Sequence, residues 1–354
     1  MGPGAYSELP ELSVVDLQPT SRRTVPLGTV TRYRATTSDG LEREIVHGQV
    51  RPAFRPAARS ADLTVGTAAP LSVGPDGMMM HLLLRTMDLG VDVVVFGPER
   101  GPSDQHIGRE ERQRLAGQLS LPRSAVAAHV IADRLAAETG SDMSTMLWTG
   151  ISLGAIKGIL FAALAPRHGR ALAYGHFTVP VCPQPMDAPD DRQMRRYVFG
   201  ELGAMFRASG ELAWKDMRDR SLAMPANVMR VAQPGLLTRY LRSAPQGSEF
   251  KMFTSAWQQV IVNGDVGIAA AGLPRDRPTT YELFDRDNGN PPDVWTRVLA
   301  DQTAEGSARI VIRHGRHSDA VRLSHQRWRG VLLRRVIDQV HCGTPPDQIT
   351  HPLG

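Results

Sequence analysis

Apolar and polar positions alternate in two stretches near the start of the chain, Thr29–Ala35 and Glu42–Val50, and this period of two predicts strands. From Ala61 the rhythm changes to short β-branched runs separated by longer runs at helical spacing. Ala61–Ala68 (ADLTVGTA) and Val91–Phe96 (VDVVVF) read as strands. The second is almost continuously apolar, as a strand buried on both faces of a parallel sheet must be. Between them, Pro70–Gly77 reads as a loop and Met78–Leu89 as a helix stopped by Gly90. The run Gly97–Ser103 (GPERGPS) reads as a tight loop. Next come a helix over Leu121–Gly140, a strand over Ser144–Thr149, a helix over Leu153–Ala165 stopped by Pro166, and a strand within Arg170–Val181 that ends at Pro180.

Residues 182–278 break this alternation. Amphipathic helical stretches around Met194–Ala208 and Leu236–Arg242 suggest a helical insertion over the sheet. The alternation then resumes with a strand at Thr279–Phe284, a helix at Pro292–Gln302, a strand at Ala308–Arg313 and a long helix over Ala320–Val340. Strands alternating with helices argue for an α/β fold with a doubly wound, mostly parallel sheet, helices on both faces and a helical lid. The expected organisation is a β-rich segment at 1–60, a core at 61–181 and 279–354, and a lid at 182–278. The first sixty residues form either a small separate β portion or the antiparallel first strands of the main sheet. The run Met78-Met79-Met80 and Trp148 read as core.

Composition narrows the class without naming a function. The chain has 354 residues, 42% hydrophobic and 22% charged, enough for a sizeable core. Its net charge of +5 comes almost wholly from arginine, because Lys157, Lys215 and Lys251 are the only lysines. The arginines are scattered, so no nucleic-acid partner is expected. This arginine bias, with abundant Ala, Gly and Pro, suits a high-GC bacterial genome. Cys182 and Cys342 have no metal-ligand spacing, no compact His/Asp/Cys set is present, and no phosphate-binding glycine loop follows a strand, so no metal or cofactor is expected. No basic, apolar leader and no apolar run of membrane-spanning length is seen, and a cytoplasmic location is expected by default. Oligomeric state stays open.

One motif carries chemistry. Gly150-Ile151-Ser152-Leu153-Gly154 matches G-x-S-x-G between a predicted strand (STMLWT) and a predicted helix (LGAIKGILFAALA). At such a turn the serine takes a strained conformation. Side chains two residues to either side would strike the neighbouring backbone, hence Gly150 and Gly154. With this context, residues 61–340 resemble the α/β-hydrolase superfamily, and Gly97–Ser103 resembles that family's loop after its fourth strand. The resemblance implies a nucleophile, an acid and a histidine in that order along the chain. The histidine should follow the last strand, in His314-Gly315-Arg316-His317-Ser318-Asp319. His317 is favoured over His314, and His325 lies in the helix beyond. The acid should follow the preceding strand, in Asp285-Arg286-Asp287. Asp287 is favoured over Asp285, with Asp265 more distant. The oxyanion donors expected from the resemblance are the backbone N–H of Leu153 and one near Thr67 or Ala68, although the usual His-Gly signature is absent.

The run YELFDRDNGN…ARIVIRHGRHSDA also resembles the C-terminal part of the accessory Sec system family that O-acetylates glycans. That likeness supports Asp287 and His317 and implies that a sugar hydroxyl could accept the acyl group. Three functions are therefore carried forward: a serine hydrolase of an ester or related acyl bond, an acyltransferase with the same triad, and a non-catalytic binding protein on a hydrolase frame. The expected partner is a small-molecule or glycan acyl substrate.

Overall fold

The computed structural model describes residues 11–55, 63–68, 86–100, 121–180, 265–287, 290–321 and 323–343. Among these, nine strands make one sheet in the order β1-β2-β3-β5-β4-β6-β7-β8-β9. β1 (Val14–Val25), β2 (Gly28–Thr37) and β3 (Glu42–Val50) form an antiparallel meander, and β3 pairs antiparallel with β5 (Asp92–Arg100). The remaining pairs are parallel: β5 with β4 (Thr64–Ala68), then β4 with β6 (Thr145–Ile151), β7 (Ala171–Thr178), β8 (Thr279–Phe284) and β9 (Ala308–Arg313). Of the two arrangements open for the N-terminal strands, the chain adopts the one in which they extend the main sheet.

The central strands are apolar because both their faces are covered. Every residue of β4 and of β8 is buried. On one face lie α1 (Leu121–Thr139), α2 (Leu153–Leu164), α3 (Asp265–Ala271) and α4 (Pro292–Val298). α1 turns Leu121, Ala125, Ala128, Ile131, Ala132 and Leu135 inward at three- and four-residue spacing. It ends where Gly140 takes a left-handed φ of 69°. α2 is buried at eleven of its twelve positions. Its fully buried Ile156, Ile159, Leu160 and Phe161 each contribute about 1.5–3 kcal/mol by leaving water. On the other face, α6 (Leu323–His341) sets Leu332, Leu333, Val336 and Ile337 against Val65, Val93, Val95, Leu147 and Tyr174. Trp148 is core as expected: it stacks on Phe96 at 5.8 Å and its Nε1–H donates to the Gly154 carbonyl at 3.1 Å.

Three expectations are corrected. Gly97–Ser103 is not a loop from its start: β5 continues to Arg100 because β3 supplies a partner, with Arg43 opposite Glu99 and Glu42 opposite Arg100. Gly97 is needed at that irregular point, since a Cβ there would lie 2.5 Å from the Glu44 carbonyl oxygen. Pro292–Gln302 is two helices, α4 and α5 (Ala300–Ala304), which meet at Leu299 with φ −102° and ψ 14°. The C-terminal helix starts at Leu323 rather than Ala320, because a 3-10 turn occupies His317–Val321. Pro70–Gly77, most of Met78–Leu89, the stretches Met194–Ala208 and Leu236–Arg242, and Cys182 lie outside the described residues. So does the expected lid up to residue 264.

The chain runs from β4 outward to β5 and then crosses back to β6 on β4's other side. At the C-terminal ends of β4 and β6 the connections therefore diverge, which is where open α/β sheets bind their ligands. Ser152 follows β6 at this point.

Candidate active site

Ser152 joins β6 to α2 with φ 53° and ψ −121°, a conformation that costs on the order of 1–3 kcal/mol and persists only where its surroundings enforce it. Those surroundings are specific. The Ser152 N–H donates to the Thr178 carbonyl of β7 at 2.9 Å, and the Ser152 carbonyl accepts from Ala155 and Ile156. A Cβ on Gly150 would lie 2.4 Å from the Gly154 carbonyl oxygen, and one on Gly154 would lie 2.3 Å from the Ala68 carbonyl oxygen. Both glycines are thus required by backbone approach, and the second lets α2 sit directly against the end of β4.

The strand ends deliver the other groups. His317 opens the 3-10 turn after β9, and Asp287 lies in the turn after β8, whose closure is an Asp287 N–H to Phe284 carbonyl bond of 3.2 Å. His317 Nε2 stands 2.9 Å from Ser152 Oγ, and His317 Nδ1 stands 2.7 Å from Asp287 Oδ2. All three residues are buried, at 5% exposure for Ser152, 9% for His317 and 4% for Asp287. An Asp287 carboxylate places the ring proton on Nδ1 and leaves Nε2 as the acceptor of the Ser152 hydroxyl proton.

No family model matches the sequence, and no curated protein matches it either. Solved structures do. An α/β hydrolase, GrgF from Penicillium sp. sh18, superposes with a TM-score of 0.51 at 13% identity, over 88% of this chain and 99% of its own. An acetyl xylan esterase from Paenibacillus sp. R4 superposes at 0.50 with 13% identity, over 94% of this chain and 90% of its own. The chain has the α/β-hydrolase fold. Identity at this level speaks for the fold alone.

Within this hydrolase fold the alternates form a pair of their own. His314 Nδ1 lies 2.8 Å from Asp285 Oδ2, and both side chains are exposed, at 68% and 43%. Asp285 Oδ1 also accepts the Gly315 N–H at 3.0 Å, and that bond, followed by His314, holds its carboxyl below the ordinary range. The structure therefore brings Ser152, His317 and Asp287 together and sets Asp285 and His314 beside them at the surface. His325 lies on α6, 3.8 Å from Glu282, and Asp265 opens α3. Leu153 is the first residue of α2, so its N–H is among those with no carbonyl partner inside the helix. Thr67 and Ala68 end β4, paired with Val95 and Phe96, and the loop that continues them lies outside the described residues.

Sequence reading missed a buried ionic cluster beside the site. Glu282, mid-strand in β8 and wholly buried, accepts from Arg313 Nε at 2.8 Å, Arg329 Nε at 2.7 Å and Thr178 Oγ at 3.1 Å. Burial alone would push its carboxyl up, but the Arg329 guanidinium and then His176 outweigh that and hold it well below the usual range. A signal was available: a lone carboxylate in TTYELF, a strand otherwise apolar enough to be covered on both faces, needs a buried cation.

Proposed function

We propose that the protein is a serine hydrolase that cleaves an ester through an acyl-enzyme on Ser152. The observation that carries this reading is the hydrogen-bonded line Ser152 Oγ, His317, Asp287 set on a strained strand-to-helix turn. Ser152 Oγ attacks the ester carbonyl carbon while its proton passes to His317 Nε2. Asp287 holds the imidazole through Nδ1 and stabilises the cation that forms. The carbonyl oxygen becomes an oxyanion, for which the Leu153 N–H is the donor assigned, at the positive end of α2. Collapse expels the alcohol, which takes the proton from His317. Water, deprotonated by the same nitrogen, then releases the acid and restores Ser152. An acetyl xylan esterase that shares the fold shows that this frame can carry ester chemistry.

The test is hydrolysis of p-nitrophenyl acetate with rapid mixing. The expected result is a burst of nitrophenol equal to the enzyme concentration, followed by slower turnover, with both lost in Ser152→Ala. A Ser152→Ala variant that retains wild-type turnover would overturn the proposal.

A further inference from the structure

The Glu282 cluster touches every element that delivers a member of the proposed triad, and the mechanism above makes no use of it. The Thr178 carbonyl accepts the Ser152 N–H, and the Thr178 hydroxyl donates to Glu282 Oε2. Glu282 itself lies on β8, the strand that ends in the Asp287 turn. Arg313 is the last residue of β9 and leads into the His317 loop. Arg329 reaches down from α6 with one hand on each side: Nε donates to Glu282, and Nη2 donates to the carbonyl of Ala320, inside the 3-10 turn that His317 opens. Arg329 is 8% exposed, so this fork works away from water, where a charged hydrogen bond is strong and an unmade one is costly. Val179, Phe284 and Ala320 pack together beside it, fully buried.

We infer that Glu282 and Arg329 are positioning residues for the proposed triad: the carboxylate joins β8 to Thr178 of β7, and the Arg329 fork ties the His317 turn to them. This inference rests on the Ser152–His317–Asp287 reading. Its physical content is geometric. Planar bidentate reach is what arginine has and lysine lacks, so Arg329→Lys keeps a cation for Glu282 while giving up one of the two bonds. Arg313→Lys is the matched control. It alters the same carboxylate, but Arg313 is partly exposed, lies against the Trp328 ring at 4.1 Å, and makes no bond to Ala320 among those described.

The experiment compares wild type, Arg329→Lys, Arg313→Lys and the double variant Glu282→Gln/Arg329→Met, which removes both charges together so that neither is stranded. Three readouts are taken on protein of verified fold: kcat and KM on p-nitrophenyl acetate, the rate of fluorophosphonate labelling of Ser152, and the downfield proton resonance of His317 Nδ1–H against Asp287. In Arg329→Lys and in the double variant we expect kcat and the labelling rate to fall at least tenfold with KM within twofold, and the resonance to broaden or vanish. Arg313→Lys should stay within threefold on every readout. A folded Arg329→Lys or double variant with a wild-type labelling rate and a sharp resonance would overturn the inference. If wild type fails to label but the resonance responds to Arg329→Lys as expected, the proposed chemistry fails and the positioning role stands.

Discussion

The elbow makes a quantitative demand at Gly154. In Gly154→Ala the new methyl would lie 2.3 Å from the Ala68 carbonyl oxygen and 3.3 Å from its carbonyl carbon. The first distance is roughly 1 Å inside van der Waals contact. No flexible side chain can yield, because the obstacle is the backbone of β4, buried at all five residues and clamped between β5 and β6. Either α2 lifts from the sheet or β4 bows, and overpacking of this kind costs about 1–3 kcal/mol, occasionally more. A domain with an ordinary reserve of about 5–15 kcal/mol stays folded at that cost. Activity should not survive so well. A displacement near 1 Å moves Ser152 relative to His317 and to the loop after Ala68, and misplacement on that scale costs on the order of a hundredfold in rate. Urea denaturation should show a lowered midpoint with unchanged slope, and fluorophosphonate labelling should slow by about that factor. A Gly154→Ala protein with wild-type midpoint and wild-type labelling would refute the argument that backbone contact dictates this glycine.

Two further outcomes follow from the geometry. Asp287→Asn should lower kcat by about 10⁴ by favouring the wrong imidazole tautomer, whereas Asp285→Asn, whose side chain meets the exposed His314 and the Gly315 N–H, should leave kcat within a few-fold; equal losses in a side-by-side assay would contradict the assignment. Acid should destabilise the fold through its buried histidines. Burial lowers the His47 imidazole to about 4 and also lowers His129 and His176, whereas each titrates near 6.5 when unfolded. Below about pH 6.5 the unfolded chain then binds more protons than the native one, so stability is fully present above that pH and falls as pH drops, by up to about 1.4 kcal/mol per unit for each histidine. Urea midpoints should decline between pH 6.5 and 5, and a flat profile there would contradict the burial of neutral histidines.

How far sequence reading reaches depends on whether a residue's role is set by its neighbours in the chain. The turn at Ser152 was legible because its steric demands fall on Gly150 and Gly154, two positions away on each side. β8 and β9 were legible to the residue because TTYELF and ARIVIR are compact runs bounded by Pro278, Asp285, Ser307 and His314. β1 was not, because VVDLQPTSRRTV is exposed along nearly its whole length and carries no apolar period; it exists through its pairing with β2. Gly97 misled for the converse reason: Gly-Pro-Glu-Arg-Gly-Pro has turn chemistry, and a distant partner, β3, overrode it. The choice between Asp285 and Asp287 could only be narrow. The two lie two residues apart in one turn, and what separates them is that one meets His314 at the surface and the other meets His317 in the interior. Arg329 was out of reach altogether, since its partners lie 47 and 9 residues away and on different elements.

The most direct test of the central claim is labelling with a fluorophosphonate probe followed by peptide mass mapping, on wild type and on Ser152→Ala. One adduct is expected, on the peptide that contains Ser152, and its loss in the variant. A folded wild-type protein that takes no probe at Ser152, or a Ser152→Ala variant labelled as readily elsewhere, would contradict it.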